Sequence, residues 1–392
     1  MKFKRTEFLY FLAFFILGFA NTVITNSFLF GTSEYRHEIT NYFYYMAAVL
    51  FALSFCMSKM WQTTMTKKAI LCVVALIVTA SIHLIGFGVS ILAVIAAVGI
   101  DFKKIVKWCI CTNLFYLAIV IIPAILEMIP NDTYEHYGKT AYCLGFAYYS
   151  NVPFIVIMIC LMSYWLIRNR HLENMLLIIG LVINYILYKI CTVRLVFYLY
   201  IMFLTLAILA KMFRWKRKNK WINFVATIMF PAASATTILA SIKLYRYSIL
   251  LKLDNILNGR LAMNYRGFTQ YNLKIFGQKI ETSKEWIDEN YINHYFYIDS
   301  GYTYTLLCYG IIIFLILIFA YTMLSRYAVI RRDKKLLVCC MVICGFSIIN
   351  NVLFNVNMNP FPILAMNIFL SDKNCIREKL KSSNLFIKRI RY

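Results

Sequence analysis

The sequence predicts an all-α polytopic integral membrane protein of about 11–12 transmembrane helices with one long extracytoplasmic loop. Three observations carry this reading. Of 392 residues, 61% are hydrophobic and 15% charged, against roughly 45–50% and about 25% in soluble domains. The apolar residues fall in long runs, and a run of about 18 or more reads as a spanning helix. The period-2 alternation of an outer-membrane barrel is missing.

The first run, 8–30, follows Lys2, Lys4 and Arg5 and has no small-residue cleavage site. It therefore reads as an uncleaved first span. Further spans read at 39–58, 69–81, 84–100, 108–129, 146–167, 174–190, 195–210, 222–242, 301–324 and 336–353. The stretch 69–100 is continuous, with His83, Gly86 and Gly88 at its middle. Counted as two spans, it puts every basic cluster on one side: Lys2 to Arg5, Lys59 to Lys68, Lys103 to Lys107, Arg168 and Arg170, Arg214 to Lys220, Arg326 to Lys335, and the tail. Counted as one, it sends every cluster from Lys103 onward to the other side. The positive-inside rule selects two spans and a cytoplasmic N-terminus. The last apolar piece, 360–370, is too short for about 30 Å of hydrocarbon. Either it re-enters or its helix starts earlier, near Asn355. The chain thus divides into about nine helices in 1–243, an outward loop at 244–300, further helices in 301–370 and a basic cytoplasmic tail at 371–392.

Net charge is +24, from 41 Lys+Arg against 17 Asp+Glu. Basic cytoplasmic loops account for that excess, and no nucleic-acid motif interrupts the apolar runs. The 12 Cys form no CxxC pair and lie mostly within apolar runs, where Cys behaves as a small hydrophobe. The five His form no HxH or HxxxH pair, so neither a metal nor another cofactor is expected. His37, His83, His136 and His294 fall on the outward side.

The outward loop is polarised. Arg246, Lys252, Arg260, Arg266, Lys274 and Lys279 in its first part face Asp254 alone, whereas Glu281, Glu285, Asp288, Glu289 and Asp299 in its second face Lys284 alone. A basic outward patch suits an anionic ligand such as a lipid pyrophosphate, which Arg binds bidentately. The alternative is a solvated loop whose halves pair with each other. Ile249, Leu250, Leu253, Leu257 and Leu261 recur at helical spacing, which predicts an amphipathic helix on the membrane surface. Asn258-Gly259-Arg260 would end it, with Gly259 as its C-cap. Arg194 sits at the outward edge of its span, where it either snorkels or functions. His294, within an aromatic run, is a general base or an interfacial residue. Asp299 either complements a helix N-terminus or orients a sugar hydroxyl.

In order, Leu257-Asn258-Gly259-Arg260, Ile275-Phe276-Gly277-Gln278 and Tyr297-Ile298-Asp299-Ser300-Gly301-Tyr302, followed by Leu306 and Gly310, resemble the long loop of Wzy-type polysaccharide polymerases. These are bacterial enzymes of O-antigen, capsule and exopolysaccharide assembly. Leu144-Gly145-Phe146 with Asn151, Thr192-Val193-Arg194 and Asp101-Phe102-Lys103-Lys104 are similar to further elements of that family. Asn258, Val193 and Ser300 stand where the family more often has Ser, Ser and Asn. The resemblance implies a GT-C-like glycosyltransferase in the bacterial cytoplasmic membrane. It would join undecaprenyl-pyrophosphate-linked repeat units on the outer face, without metal or nucleotide sugar. It implies Arg194, Arg260 and Asp299 as catalytic residues. Asn151, Arg246, Gly259, Arg266, His294 and Tyr302 would contact substrate. A chain-length regulator and a flippase are the partners it implies. A flippase or exporter for the same lipid-linked glycan, and an O-antigen ligase, are the rival readings.

Overall fold

The computed structural model describes residues 4–31, 36–58, 65–136, 138–212, 220–282 and 296–370. Helices dominate. In chain order they are α1 (Arg5–Phe19), prolonged by a π-helical turn (Ala20–Ile24), α2 (Arg36–Met57), α3 (Met65–Ile82), α4 (Ile85–Ala96) and α5 (Phe102–Ile125). Next come α6 (Asn151–Leu166), α7 (Arg170–Cys191), α8 (Arg194–Met212) and α9 (Lys220–Ile242). The 244–300 segment contributes α10 (Ser248–Ile256) and α11 (Arg260–Gln270). The chain then runs through α12 (Gly301–Tyr304), a second π-helical turn (Thr305–Tyr309), α13 (Gly310–Arg331), α14 (Lys334–Ile349) and α15 (Phe361–Leu370).

Seven of these segments are long and apolar enough to cross a membrane, as in a multi-pass membrane protein. Their surface fits that role. On α7, Leu177, Gly180, Asn184, Leu187 and Cys191 are buried at helical spacing. Ile179, Val182, Ile183 and Ile186 on the opposite face are exposed. Water would penalise such a continuous apolar face, and hydrocarbon would not.

Several expectations are refined. The first span ends at Ile24 rather than near 30, because 25–31 turns away to meet the segment after α5. There Phe28 N–H donates to Gly145 O (2.9 Å) and Ala147 N–H to Asn26 O (2.9 Å). The 69–100 stretch breaks where charge counting placed the break, at His83 (φ 53°). At 12 residues, α4 is about 18 Å long by helical rise. That is short of the hydrocarbon thickness, and most of α4 is buried in the bundle. Between α5 and α6, Thr133–His136 and Lys139–Tyr142 pair as an antiparallel hairpin.

The helix at the end of the described chain begins at Phe361 and not near Asn355. Residues 350–360 are largely buried and non-helical. Irregular backbone at such depth needs its polar groups met by protein, and side chains meet them here. Tyr321 hydroxyl donates to Leu353 O (2.9 Å). Asn113 Nδ2 and Cys109 Sγ both donate to Asn357 O (2.9 Å each). Asn359 Nδ2 donates to Val352 O (2.9 Å) and to the Tyr321 hydroxyl (3.0 Å).

Ion pairs and hydrogen bonds sort the helix ends into two sets. At one end Lys104 Nζ, near the start of α5, meets Glu7 near the start of α1 (2.8 Å). Buried Glu173 near the start of α7 takes Lys335 (2.5 Å) from α14 and Lys211 (2.9 Å) from α8. Trp165 Nε1, near the end of α6, donates to Asp333 Oδ2 (3.3 Å). The basic connections at 103–107, 168–170 and 331–335 gather at this end. The described part of the 244–300 segment and its neighbours occupy the other.

Candidate functional site

The site is built at that second end, from the 243–300 loop and the helix ends beneath it. The amphipathic helix expected from Ile249 onward is α10. Its apolar face, Ile249, Leu253 and Ile256, is exposed. It stops at Asn258 and Gly259, both left-handed (φ 57° and 75°). Gly259 N–H donates back to Asp254 O (3.0 Å), the capping bond expected of a glycine there. The next residue, Arg260, starts α11, so Leu261 belongs to the second helix. Buried Asp254 caps α11 by accepting from the N–H groups of Leu261 (2.7 Å) and Ala262 (3.3 Å). The one acid of the loop's basic half is thereby held in a backbone cap.

This junction brings two arginines to one corner. Arg194 opens α8 after a tight turn at Thr192 (φ 55°). Its Nη2 donates to Asn258 Oδ1 (3.3 Å). Arg260 Nε meets Asp299 Oδ2 at 3.1 Å. The Arg260 side chain is 14% exposed and that of Asp299 is 33% exposed. Asp299 is half-buried. Desolvation therefore raises its carboxyl above the ordinary aspartate range, and Arg260 opposes the rise. A carboxylate raised in this way is a stronger base.

Asp299 is held by the backbone that follows it. Ser300 Oγ donates to Ser347 O (3.3 Å) and Gly301 N–H donates to Asn350 O (3.2 Å). The loop is also fastened between 274 and 278. Gln278 N–H donates to Cys308 O (3.0 Å), Ile311 N–H to Lys274 O (3.2 Å) and Ile312 N–H to Ile275 O (3.3 Å). Two glycines make this contact possible. A Cβ on Gly277 would lie 2.1 Å from Cys308 O, and one on Gly310 would lie 2.3 Å from Gly277 N. Only a residue without a side chain fits on either side of so close a backbone crossing.

A cavity of about 590 Å³ opens among the helix ends at the same side of the bundle. It takes Asn21, Thr22 and Thr25 from the end of α1 and Arg36, Asn41 and Tyr44 from the start of α2. His83 comes from the α3–α4 break, Ser90 from α4, Asn151 from the start of α6, Tyr309 from the second π-turn, and Asn351 and Asn355 from the irregular stretch. Both π-turns border it, as such turns often do at functional sites. Tyr44 hydroxyl donates to Asn21 Oδ1 (2.5 Å). Asn350 and Asn351 join this cavity to the Asp299 segment, since Gly301 binds the carbonyl of Asn350 and Asn351 lines the wall.

The residues singled out from the sequence fall into groups. Arg194, Gly259, Arg260 and Asp299 meet at the α10–α11 corner. Asn151 lines the cavity, with its Nδ2 3.5 Å from Asn26 O. Arg266 is half-buried on α11, its guanidinium 5.5 Å from the Phe296 ring centre. Arg246 is exposed beside Tyr247 (5.8 Å). Tyr302 is fully buried and its hydroxyl donates to Cys344 O (2.9 Å), so it braces α12 against α14. His294, Glu285, Asp288, Glu289 and the basic tail lie outside the described residues. Sequence reasoning passed over Arg36 and the asparagines of the cavity other than Asn151. Their signal was amides inside apolar runs, Asn21 and Asn26 in the first and Asn350, Asn351 and Asn355 near the last. Among the described residues no cluster of three or more His, Cys, Asp or Glu could hold a metal ion.

No known protein family, curated protein or solved structure matches the chain.

Proposed function

We propose that the chain is a Wzy-type polymerase, a GT-C-like glycosyltransferase that joins undecaprenyl-pyrophosphate-linked repeat units on the outer face of the bacterial cytoplasmic membrane. The basic helix ends then face the cytoplasm, as the positive-inside rule asks. On this reading the shorter apolar helices α3, α6 and α14 add to the seven long ones, and α4, too short to reach across alone, carries the chain back within the bundle, for about 11 crossings. The Arg260–Asp299 pair, with Arg194 at the same corner, carries the proposal. It places a raised-pKa carboxylate and two guanidinium groups together at the outward edge of the bundle.

In this reading an acceptor sugar hydroxyl attacks the anomeric carbon of the donor chain. The new glycosidic C–O bond forms as the bond from that carbon to the lipid pyrophosphate breaks. The electron pair leaves with the pyrophosphate, whose growing charge Arg194 and Arg260 stabilise. Asp299 orients the acceptor hydroxyl and takes its proton. An exporter of the same glycan would need a polar path through the bundle. Among the described residues the buried charged side chains are Glu173 and Asp254, one at each end of the bundle, and the buried polar groups between them are amides and hydroxyls.

Glycan profiling of a deletion strain tests the reading. Polymer should disappear while single lipid-linked repeats accumulate on the outer face. Repeats trapped on the cytoplasmic face would select the flippase instead. Finished polymer left on its lipid carrier would select the ligase.

A further inference from the structure

Three features of the cavity point to a ligand of definite chemistry. First, its aromatic wall is continuous. The ring centre of Phe87 lies 4.3 Å from that of Tyr309 and 5.5 Å from that of Phe354. Apolar sugar faces pack on such rings. Second, much of the remaining lining is amide and hydroxyl. Asn21, Asn41, Asn151, Asn351, Asn355 and Ser90 offer both donors and acceptors. Hydroxyl-rich ligands need that mixture, whereas an apolar lipid tail would leave it unsatisfied. Third, the charge is one-sided. Arg36 is the charged side chain of the lining, and no Asp or Glu lines it among the described residues. Arg36 donates through Nη2 to Ser27 O, while its buried Nε has no partner among the described residues. A guanidinium that lines a cavity with no facing carboxylate among the described residues is a site for an anion.

We infer that this cavity binds a sugar unit together with one anionic group, and that Arg36 reads the anion. At about 590 Å³ it lies within the range of roughly 300–1,000 Å³ usual for small-ligand sites. The anion has two possible sources, an acidic group on the sugar itself or the diphosphate of a lipid headgroup. The inference rests on the polymerase proposal only for the ligand class, a glycan. It adds a binding site separate from the Arg260–Asp299 corner, joined to it through the 350–351 backbone.

The test uses the full chain purified in detergent. One arm records saturation-transfer NMR with glucuronate, and with glucose as the neutral comparison. The other follows 31P line broadening of inorganic pyrophosphate. Glucuronate ring protons should be saturated more strongly than those of glucose. Arg36→Gln should weaken anion binding about tenfold to a hundredfold, the loss expected for a charge-assisted hydrogen bond. Arg36→Lys should restore part of it. Asn41→Leu, which intrudes on the cavity and keeps the arginine, should weaken both sugars. Thermal melting of each variant separates lost binding from lost folding. An Arg36-dependent signal with glucuronate alone assigns the anion to the sugar. One that is stronger with pyrophosphate, with the sugars still saturated, assigns it to the headgroup. No signal from either sugar, or Arg36→Gln leaving both arms unchanged, would overturn the inference. Intact polymer in the deletion strain beside Arg36-dependent binding would refute the polymerase proposal and leave this site standing.

Discussion

Replacing Arg260 by Ala should abolish long polymer while single repeat units persist, with the rate of linkage formation falling by roughly 10²–10³-fold, the usual cost of removing one donor to developing negative charge. Two effects combine. The departing pyrophosphate loses a guanidinium, and Asp299 loses the cation that opposes its desolvation. The second effect has a sign that can be read. Burial already raises the Asp299 carboxyl, and Arg260 lowers it. Without Arg260 the carboxyl holds its proton to higher pH, so the acid limb of any residual activity should move upward. Arg260→Lys should retain more activity than Arg260→Ala, but less than the native chain, because lysine keeps the charge and loses the planar fork. Chain-length ladders from whole cells read the outcome. Normal ladders from Arg260→Ala would remove this residue from the mechanism.

Gly277→Ala should be among the most damaging single-methyl changes in the described chain. Gly277 has φ +81°, and the added Cβ would fall 2.1 Å from Cys308 O and 2.8 Å from Tyr309 C. Left-handed backbone costs a residue with a side chain roughly 1–2 kcal/mol, and overpacking adds about 1–3 kcal/mol. The clash is with backbone on both sides, so no rotamer change relieves it. The loop should come away from the second π-turn, breaking the bond from Gln278 N–H to Cys308 O. A lowered melting temperature in detergent, with faster protease cleavage between 270 and 300, is the expected readout. Gly138, also at positive φ (66°) but with open space around its missing Cβ, is the control. Gly138→Ala should cost only the backbone term.

Local chemistry was legible in the sequence, and long-range assembly was not. The break in 69–100 followed from charge bookkeeping and appears at His83. The end of α10 followed from Asn258-Gly259, two residues suited to left-handed backbone. Arg194 and Arg260 were singled out separately, and only the fold shows that both reach the Asn258–Asp299 corner. The cavity was hidden for the same reason. Its walls come from residues 21 to 358, and a periodicity of 3.6 says nothing about which helix ends converge. The hairpin at 133–142 eluded the reading because its strands are four residues each. The π-turns eluded it because one inserted residue in a helix leaves no compositional mark. The role of Tyr302 depends on Cys344, 42 residues away.

The central claim is that the outward corner of Arg194, Arg260 and Asp299 forms glycosidic bonds between lipid-linked repeats. The most direct measurement places the purified full chain in liposomes with a defined undecaprenyl-pyrophosphate-linked repeat unit and resolves the products by mass. The predicted result is a ladder spaced by one repeat, with one undecaprenyl pyrophosphate released per bond and no added metal or nucleotide sugar. Movement of the unchanged repeat unit across the bilayer, with no ladder and no released pyrophosphate, would contradict it.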